Sequence, residues 1–72
     1  MAYVVQKNFD GASRYARITG SEDLADGRVY YGRWVDDASE ATPFKTRTTA
    51  ERTYRDWYQK YYQPLDVLII EH

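Results

Sequence analysis

Acidic side chains are the residues of this chain best suited to acid–base chemistry, and they occur in two short clusters. The clusters are Glu22, Asp23 and Asp26, followed by Asp36, Asp37 and Glu40. Two carboxylates can act as general acid and base when a cleft tunes their pKa values. Both clusters lie in turn-like segments, where Asp is common because it hydrogen-bonds the nearby backbone. We therefore interpret both clusters as solvated turns.

Nucleophilic, metal and cofactor chemistry find little support in the sequence. The 72 residues include no cysteine and a single histidine, His72. A Cys-His pair and thiolate metal sites are excluded, and a Ser-His pair would have to use that last residue. The four glycines do not have the spacing of a phosphate-binding loop. The sequence thus predicts a protein that is not an enzyme and that uses no cofactor and no metal.

Tyrosine and arginine stand out in the composition. The chain has 8 Tyr, 2 Trp and 2 Phe, and seven of its ten basic residues are Arg. Tyr, Trp and Arg are enriched at the hot spots of protein interfaces, and Arg forms bidentate pairs. The formal charge of 10 − 11 = −1 argues against a strongly basic nucleic-acid binder. The composition favours a protein partner.

Three segments in the first half of the chain have strand patterns. They are residues 2–9, 13–19 and 28–35, and we expect residues 20–27 to form a polar loop. Asp10-Gly11 suits a tight turn between the first two strands.

Alternation assigns side chains to the two faces of the predicted sheet. Tyr30, Gly32 and Trp34 are expected to face the core, because Arg33 belongs outside. The opposite face would carry Tyr15, Arg17, Tyr31, Arg33 and some of Tyr3 or Val5.

The second half of the chain predicts one helix and one strand. Thr48 and Glu51 match a capping box, and Pro64 ends a helix that runs to about Tyr62. Its apolar stripe is Ala50, Tyr54, Trp57 and Tyr61. An acidic turn at 36–40 and a short extended piece at 41–46 precede the helix. Residues 65–71 follow it and form the last strand.

These elements predict an α+β fold in the order β-β-β-(short β)-α-β. A single, mostly antiparallel sheet of about four strands would carry one helix packed on one face. Residues 1–72 are expected to form one compact domain. If the last strand runs parallel to residues 28–35, the helix forms a right-handed crossover between them.

The candidate partner-binding residues lie on the uncovered sheet face, in the acidic turn and beside the helix stripe. They are Tyr31, Arg33, Asp36, Asp37, Glu40, Tyr58 and Tyr62. The alternative is a small domain that binds single-stranded nucleic acid through an open aromatic and arginine face, which the net charge makes unfavourable. A homodimer is a further alternative, because two copies that pair through an open sheet face or edge would cover that exposed surface.

The layout resembles small phage- or prophage-encoded accessory proteins. The resemblance is carried by Tyr3-Val4-Val5, Trp34, Asp36-Asp37, Ala41, Phe44, Thr46, Ala50 and the terminal strand Val67–Glu71. It implies that Phe44 and Ala50 dock the helix on the sheet. It also implies a host-takeover factor or an inhibitor of a defence system, anti-CRISPR proteins among them, with a host protein as partner.

The sequence indicates no membrane association. The longest apolar run, Val67–Ile70, is far below the ~18 residues of a membrane span. No signal-peptide pattern follows Met1. With no cysteine either, we expect a cytoplasmic protein, in a bacterial host if the protein is phage-encoded.

Overall fold

The computed structural model describes residues 1–72 and contains one antiparallel sheet with one α-helix on one face. The elements are β1 (Tyr3–Phe9), β2 (Ala12–Leu24), β3 (Gly27–Val35), a 3₁₀ helix (Ala38–Glu40), α1 (Arg47–Trp57) and β4 (Leu68–Glu71). The strand order is β3-β2-β1-β4. The predicted α+β class, with about four strands and one helix, is confirmed.

The last strand lies beside the first one. β4 pairs antiparallel with β1, with Val5 opposite Ile69, so the parallel crossover considered above is not present. On its other side, β1 pairs with β2 only from Gln6 onward. Nearer its start, Tyr3 exchanges two backbone hydrogen bonds of 2.8 Å with Phe44. The segment after the 3₁₀ helix therefore fills the gap between β1 and β2.

The β2–β3 hairpin is much longer than its polar sequence suggests. The loop predicted at residues 20–27 is wrong, because β2 continues to Leu24 and pairs with β3 up to Gly27. A register shift between Ile18 and Gly20 marks a bulge. Backbone hydrogen bonds between the strands hold this outer part, whose residues from Thr19 to Arg28 are all exposed. Hydrophobic alternation could not detect a strand with no buried face.

The core lies between α1 and one sheet face. The sheet contributes Val5, Ala16 and Ile69, and these pack with Ala50, Tyr54 and Val67. Tyr3 and Phe44 pack against this cluster from its edge. The expectation that Tyr3 or Val5 lies on the uncovered face is wrong, since the register with β4 turns both towards the helix side.

An aromatic cluster extends the core along β3. It consists of Phe9, Trp34, Tyr54, Trp57 and Tyr58. Trp34 is central, with ring centroids 5.1 Å from Phe9 and 5.2 Å from Trp57. The predicted core face of residues 28–35 is therefore correct for Trp34. Aromatic packing compensates for the scarcity of Leu and Ile in the sequence.

The helix is shorter than predicted and begins earlier. Its N-cap is Thr46, whose hydroxyl accepts a hydrogen bond of 3.1 Å from the Thr49 amide, so the assignment of Thr48 as N-cap is wrong. It ends at Trp57, and Tyr61 therefore lies beyond the helix and is exposed. No helix of the structure has both the length and the apolar character needed to cross a membrane.

Candidate functional site

The sheet face that points away from α1 carries two of the seven predicted binding residues, Tyr31 and Arg33. We use the term open face for Tyr15, Arg17, Tyr31 and Arg33, which alternation along β2 and β3 places together. Tyr15 is half-buried, and the other three are exposed. The 3₁₀ helix contacts β2 at one end of this face, and α1 contacts its reverse side.

Two arginines lie directly opposite each other on the open face. Arg17 lies opposite Arg33 in the β2–β3 register. Arg17 donates a hydrogen bond of 3.1 Å to the carbonyl oxygen of Glu40, whereas Arg33 makes no hydrogen bond or ion pair within the chain. Like charges directly opposite each other destabilise a sheet. The pair is thus electrostatically suited to a carboxylate or phosphate held between its members.

Tyr31 lies beside this arginine pair. Its side chain is 51% exposed, and its hydroxyl donates a hydrogen bond of 3.2 Å to Oε1 of Glu22. The bond holds the phenol ring over the outer part of the hairpin. A half-exposed Tyr ring next to a free guanidinium offers apolar contact, and its few side-chain rotamers keep the conformational entropy cost of binding low.

The acidic turn after β3 has a partly structural role. Oδ1 of Asp37 accepts a hydrogen bond of 2.9 Å from the Ser39 amide and caps the 3₁₀ helix. This backbone hydrogen bond lowers the pKa of Asp37. Asp36 lies 3.6 Å from Nε of Arg14, and the Glu40 carboxylate is free. Of the three acidic residues, Asp36 and Glu40 are the more available to a partner.

Tyr58 and Tyr62 lie apart from the open face. The ring of Tyr58 stacks on Tyr54 at 5.8 Å and meets Trp34 edge-on at 5.5 Å. These contacts are on the helix side of the sheet. Tyr62 is 80% exposed in the segment that follows the helix. The structure therefore brings Tyr31 and Arg33 together but separates them from Tyr58 and Tyr62.

Asp66 is a polar centre that sequence reasoning missed. Its carboxylate accepts hydrogen bonds of 2.6 Å from Nζ of Lys7 and of 2.6 Å from the hydroxyl of Tyr54. A surface cavity of about 370 Å³ lies beside it, lined by Gln6, Asn8, Ser13 and residues 65–68. The only sequence signal was one acid within the apolar run from Leu65 to Ile70. No cluster of His, Cys, Asp or Glu side chains with metal-binding geometry is present.

Asp66 is expected to make stability depend on pH. Burial raises the pKa of Asp66, but the hydrogen bonds from Lys7 and Tyr54 outweigh it and lower the pKa below the ordinary value of 3.8. A lowered pKa stabilises the fold above that value, and the stabilisation is lost as the pH falls through the folded-state pKa. We expect the urea midpoint to fall between pH 5 and pH 2, and Asp66→Asn to reduce this decrease.

The matched control for this measurement is Asp26→Asn. Asp26 is exposed at the hairpin turn and makes no hydrogen bond or ion pair. This variant should keep the wild-type decrease in urea midpoint with falling pH. Equal pH profiles for wild type and Asp66→Asn would show that Asp66 does not stabilise the fold.

No protein-family model matches this chain, and neither a curated protein nor a solved structure matches it.

Proposed function

We propose that this protein is a non-enzymatic binding module that contacts a partner protein through its open face. The observation that carries the proposal is the unpaired guanidinium of Arg33, directly opposite Arg17 and beside the half-exposed ring of Tyr31. An exposed Arg and Tyr on a rigid sheet is the composition of an interface hot spot. The sheet backbone fixes their spacing before binding, which limits the entropy lost on association.

The charges suggest what the partner presents. A carboxylate placed between Arg17 and Arg33 would relieve their mutual repulsion and accept hydrogen bonds from both. Glu40 and Asp36 border the same end of the hairpin and would meet basic side chains of the partner. The partner surface that fits the open face would thus carry an acidic group, with an apolar patch and basic side chains around it.

The mode of action in this proposal is steric. In this proposal the protein acts by occupying a functional surface of its partner and carries out no chemistry on it. The resemblance to phage accessory proteins favours a bacterial host protein as the target, such as a CRISPR or other defence component, in the host cytoplasm. The protein would then be an inhibitor or modulator of that component.

Alanine substitutions on the open face test this proposal. Arg33→Ala and Tyr31→Ala should each weaken partner binding by about 2 kcal/mol or more, which is roughly thirtyfold in Kd. The matched control is Arg52→Ala, which removes an exposed helix arginine that makes no side-chain hydrogen bond or ion pair. The measurement is capture from a bacterial lysate, followed by titration of the captured protein. If the three variants retain that protein equally well, the open face is not the binding surface.

Single-stranded nucleic acid is the second candidate partner. The same arginine pair and Tyr31 ring could hold a phosphate and stack a base. In that case the affinity for a mixed oligonucleotide would fall steeply with salt, and Arg33→Ala would reduce the slope. The net charge of −1 favours the protein partner. A lack of oligonucleotide binding at low salt would eliminate nucleic acid as the partner.

A further inference from the structure

The outer edge of β3 has no pairing partner in the chain. β3 is the first strand in the order β3-β2-β1-β4, and it is nine residues long. On β2, the Ala16 carbonyl and the Ile18 amide bond to Thr42 and thus point away from β3. When a residue of an antiparallel pair turns its backbone groups away from the neighbouring strand, the residue directly opposite does the same. The backbone groups of Trp34 and Gly32, their partners on β3, therefore point outward, away from the sheet.

Alternation extends this row of free groups along the strand. The backbone groups of Tyr30 and Arg28 point the same way as those of Gly32. No side chain or loop donates to or accepts from the backbone of residues 27–35 on this side. The edge thus presents four amides and four carbonyls in the geometry that another strand would bind.

The opposite edge of the sheet is protected, and this contrast is informative. β4 has only four residues, and the guanidinium of Arg47 donates to the outward carbonyl of Ile69. Short strands and capped carbonyls are the means by which proteins prevent edge pairing. β3 has neither feature, and it contains no proline and no lysine.

Within the paired strands, the open-face charges of the hairpin have opposite signs towards its two ends. On the open-face side, Arg17 and Arg33 occupy the base, and Glu22 lies towards the tip, opposite Val29. Two hairpins placed side by side in antiparallel orientation would bring the acidic end of each next to the basic end of the other. A parallel arrangement would place like charges together. The charge pattern is therefore complementary to a second copy of itself.

We propose that the protein forms a two-fold symmetric homodimer through antiparallel pairing of β3 with β3 of a second copy. The result is a continuous eight-stranded sheet. Full overlap of residues 27–35 places Tyr31 on the two-fold axis and Arg33 opposite the partner's Val29. The partner's Glu22 lies on the next strand, opposite the partner's Val29. Arg33 is therefore two strand spacings, about 10 Å, from the partner's Glu22, a distance that the two long side chains can span. Edge pairing leaves the open face accessible from above, although it brings the two Tyr31 side chains next to each other there. The inference rests on the free backbone edge and the charge pattern, and not on the proposed function.

Proline substitution at Tyr30 tests the pairing. The Tyr30 amide points outward, so proline removes a donor from the free edge without breaking the β2–β3 ladder. We expect sedimentation equilibrium to find a dimer for wild type. Tyr30→Pro should raise the dimer dissociation constant at least about tenfold, because symmetry removes two hydrogen bonds. Tyr30→Ala keeps the amide, and it is the control for loss of the side chain. A monomeric wild type would overturn the proposal, as would a dimer that Tyr30→Pro leaves intact.

A cross-link tests the register and does not depend on how the proline variant folds. The chain has no cysteine, so Tyr31→Cys introduces the only thiol. Across a two-fold axis between non-hydrogen-bonded neighbours, the Cα atoms are about 4.5 Å apart, which suits a disulfide. We expect rapid oxidation to a covalent dimer for Tyr31→Cys and slow oxidation for the control, Ala25→Cys at the hairpin turn. Equal rates would overturn the proposed register.

The two proposals fail separately. Tyr30 belongs to the helix side of β3, and Tyr30→Pro leaves Tyr31 and Arg33 in place. A monomeric Tyr30→Pro that still binds the partner protein would confirm that the edge and the open face act independently. Loss of binding in Arg33→Ala with the dimer retained would support the proposed function without bearing on the edge.

Discussion

Replacement of Tyr54 by alanine should lower the free energy of unfolding by about 3–5 kcal/mol. Tyr54 is 1% exposed, belongs to the core, and packs against Trp34, Trp57 and Tyr58. Its hydroxyl is also the donor to Asp66. At about 0.05–0.15 kcal/mol per residue, a chain of this length has a total stability of about 4–11 kcal/mol. The substitution therefore removes a large part of the total.

Urea unfolding followed by tryptophan fluorescence and circular dichroism measures this loss. Tyr54→Phe keeps the ring and removes only the hydrogen bond, so it should cost about 1–3 kcal/mol. Tyr62→Ala removes an exposed ring and should change stability by less than about 0.5 kcal/mol. A Tyr54→Ala midpoint equal to that of Tyr62→Ala would contradict the central place of Tyr54 in the core.

Gly32→Ala should destabilise the protein by about 1–3 kcal/mol, although it adds a single methyl group. A Cβ atom at this position would lie 2.7 Å from the carbonyl oxygen of Arg17 and 3.2 Å from Cε2 of Trp57. The backbone of β2 and the ring from α1 would both have to move. At Gly32, the ring of Trp57 from α1 and the backbone of β2 both approach β3 closely, as an isolated glycine in a strand often indicates.

The matched control for Gly32→Ala is Gly20→Ala. Gly20 also lies in the β2–β3 hairpin, but a Cβ atom there would contact nothing within 4 Å. Its replacement should be neutral or slightly stabilising, because alanine reduces the entropy of the unfolded chain. The comparison uses thermal unfolding of both variants. Equal Tm values would mean that the close approach at Gly32 relaxes without cost.

The sequence predicted the fold class and the sheet face that carries Tyr31 and Arg33, because alternation across residues 28–35 is unambiguous. It misplaced the helix start, since two threonines two residues apart can both act as N-cap. Thr46 is the N-cap in the structure, and this start places Arg47 against the Ile69 carbonyl. That contact joins residues distant in sequence, so local capping rules could not predict it.

Other parts of the site depended on contacts that no local pattern encodes. Tyr58 was expected beside the helix stripe, and its ring instead joins the aromatic cluster from the helix C-cap. Asp66 gains its partners only when β1 and α1 meet, because Lys7 and Tyr54 come from these two elements. Tertiary structure determined both positions.

The polar outer part of the β2–β3 hairpin is expected to open more easily than the rest of the fold. Residues 19–28 bury no side chain, so their opening exposes no core. It costs the cross-strand backbone hydrogen bonds, the exposed Asp23–Arg28 ion pair and the bond from Tyr31 to Glu22. A two-stranded ribbon of this kind is marginally stable in water. It can therefore fray while the helix and the rest of the sheet stay folded. The hairpin is rigid at its base, where Arg17 and Arg33 lie, and compliant towards Glu22 and the turn.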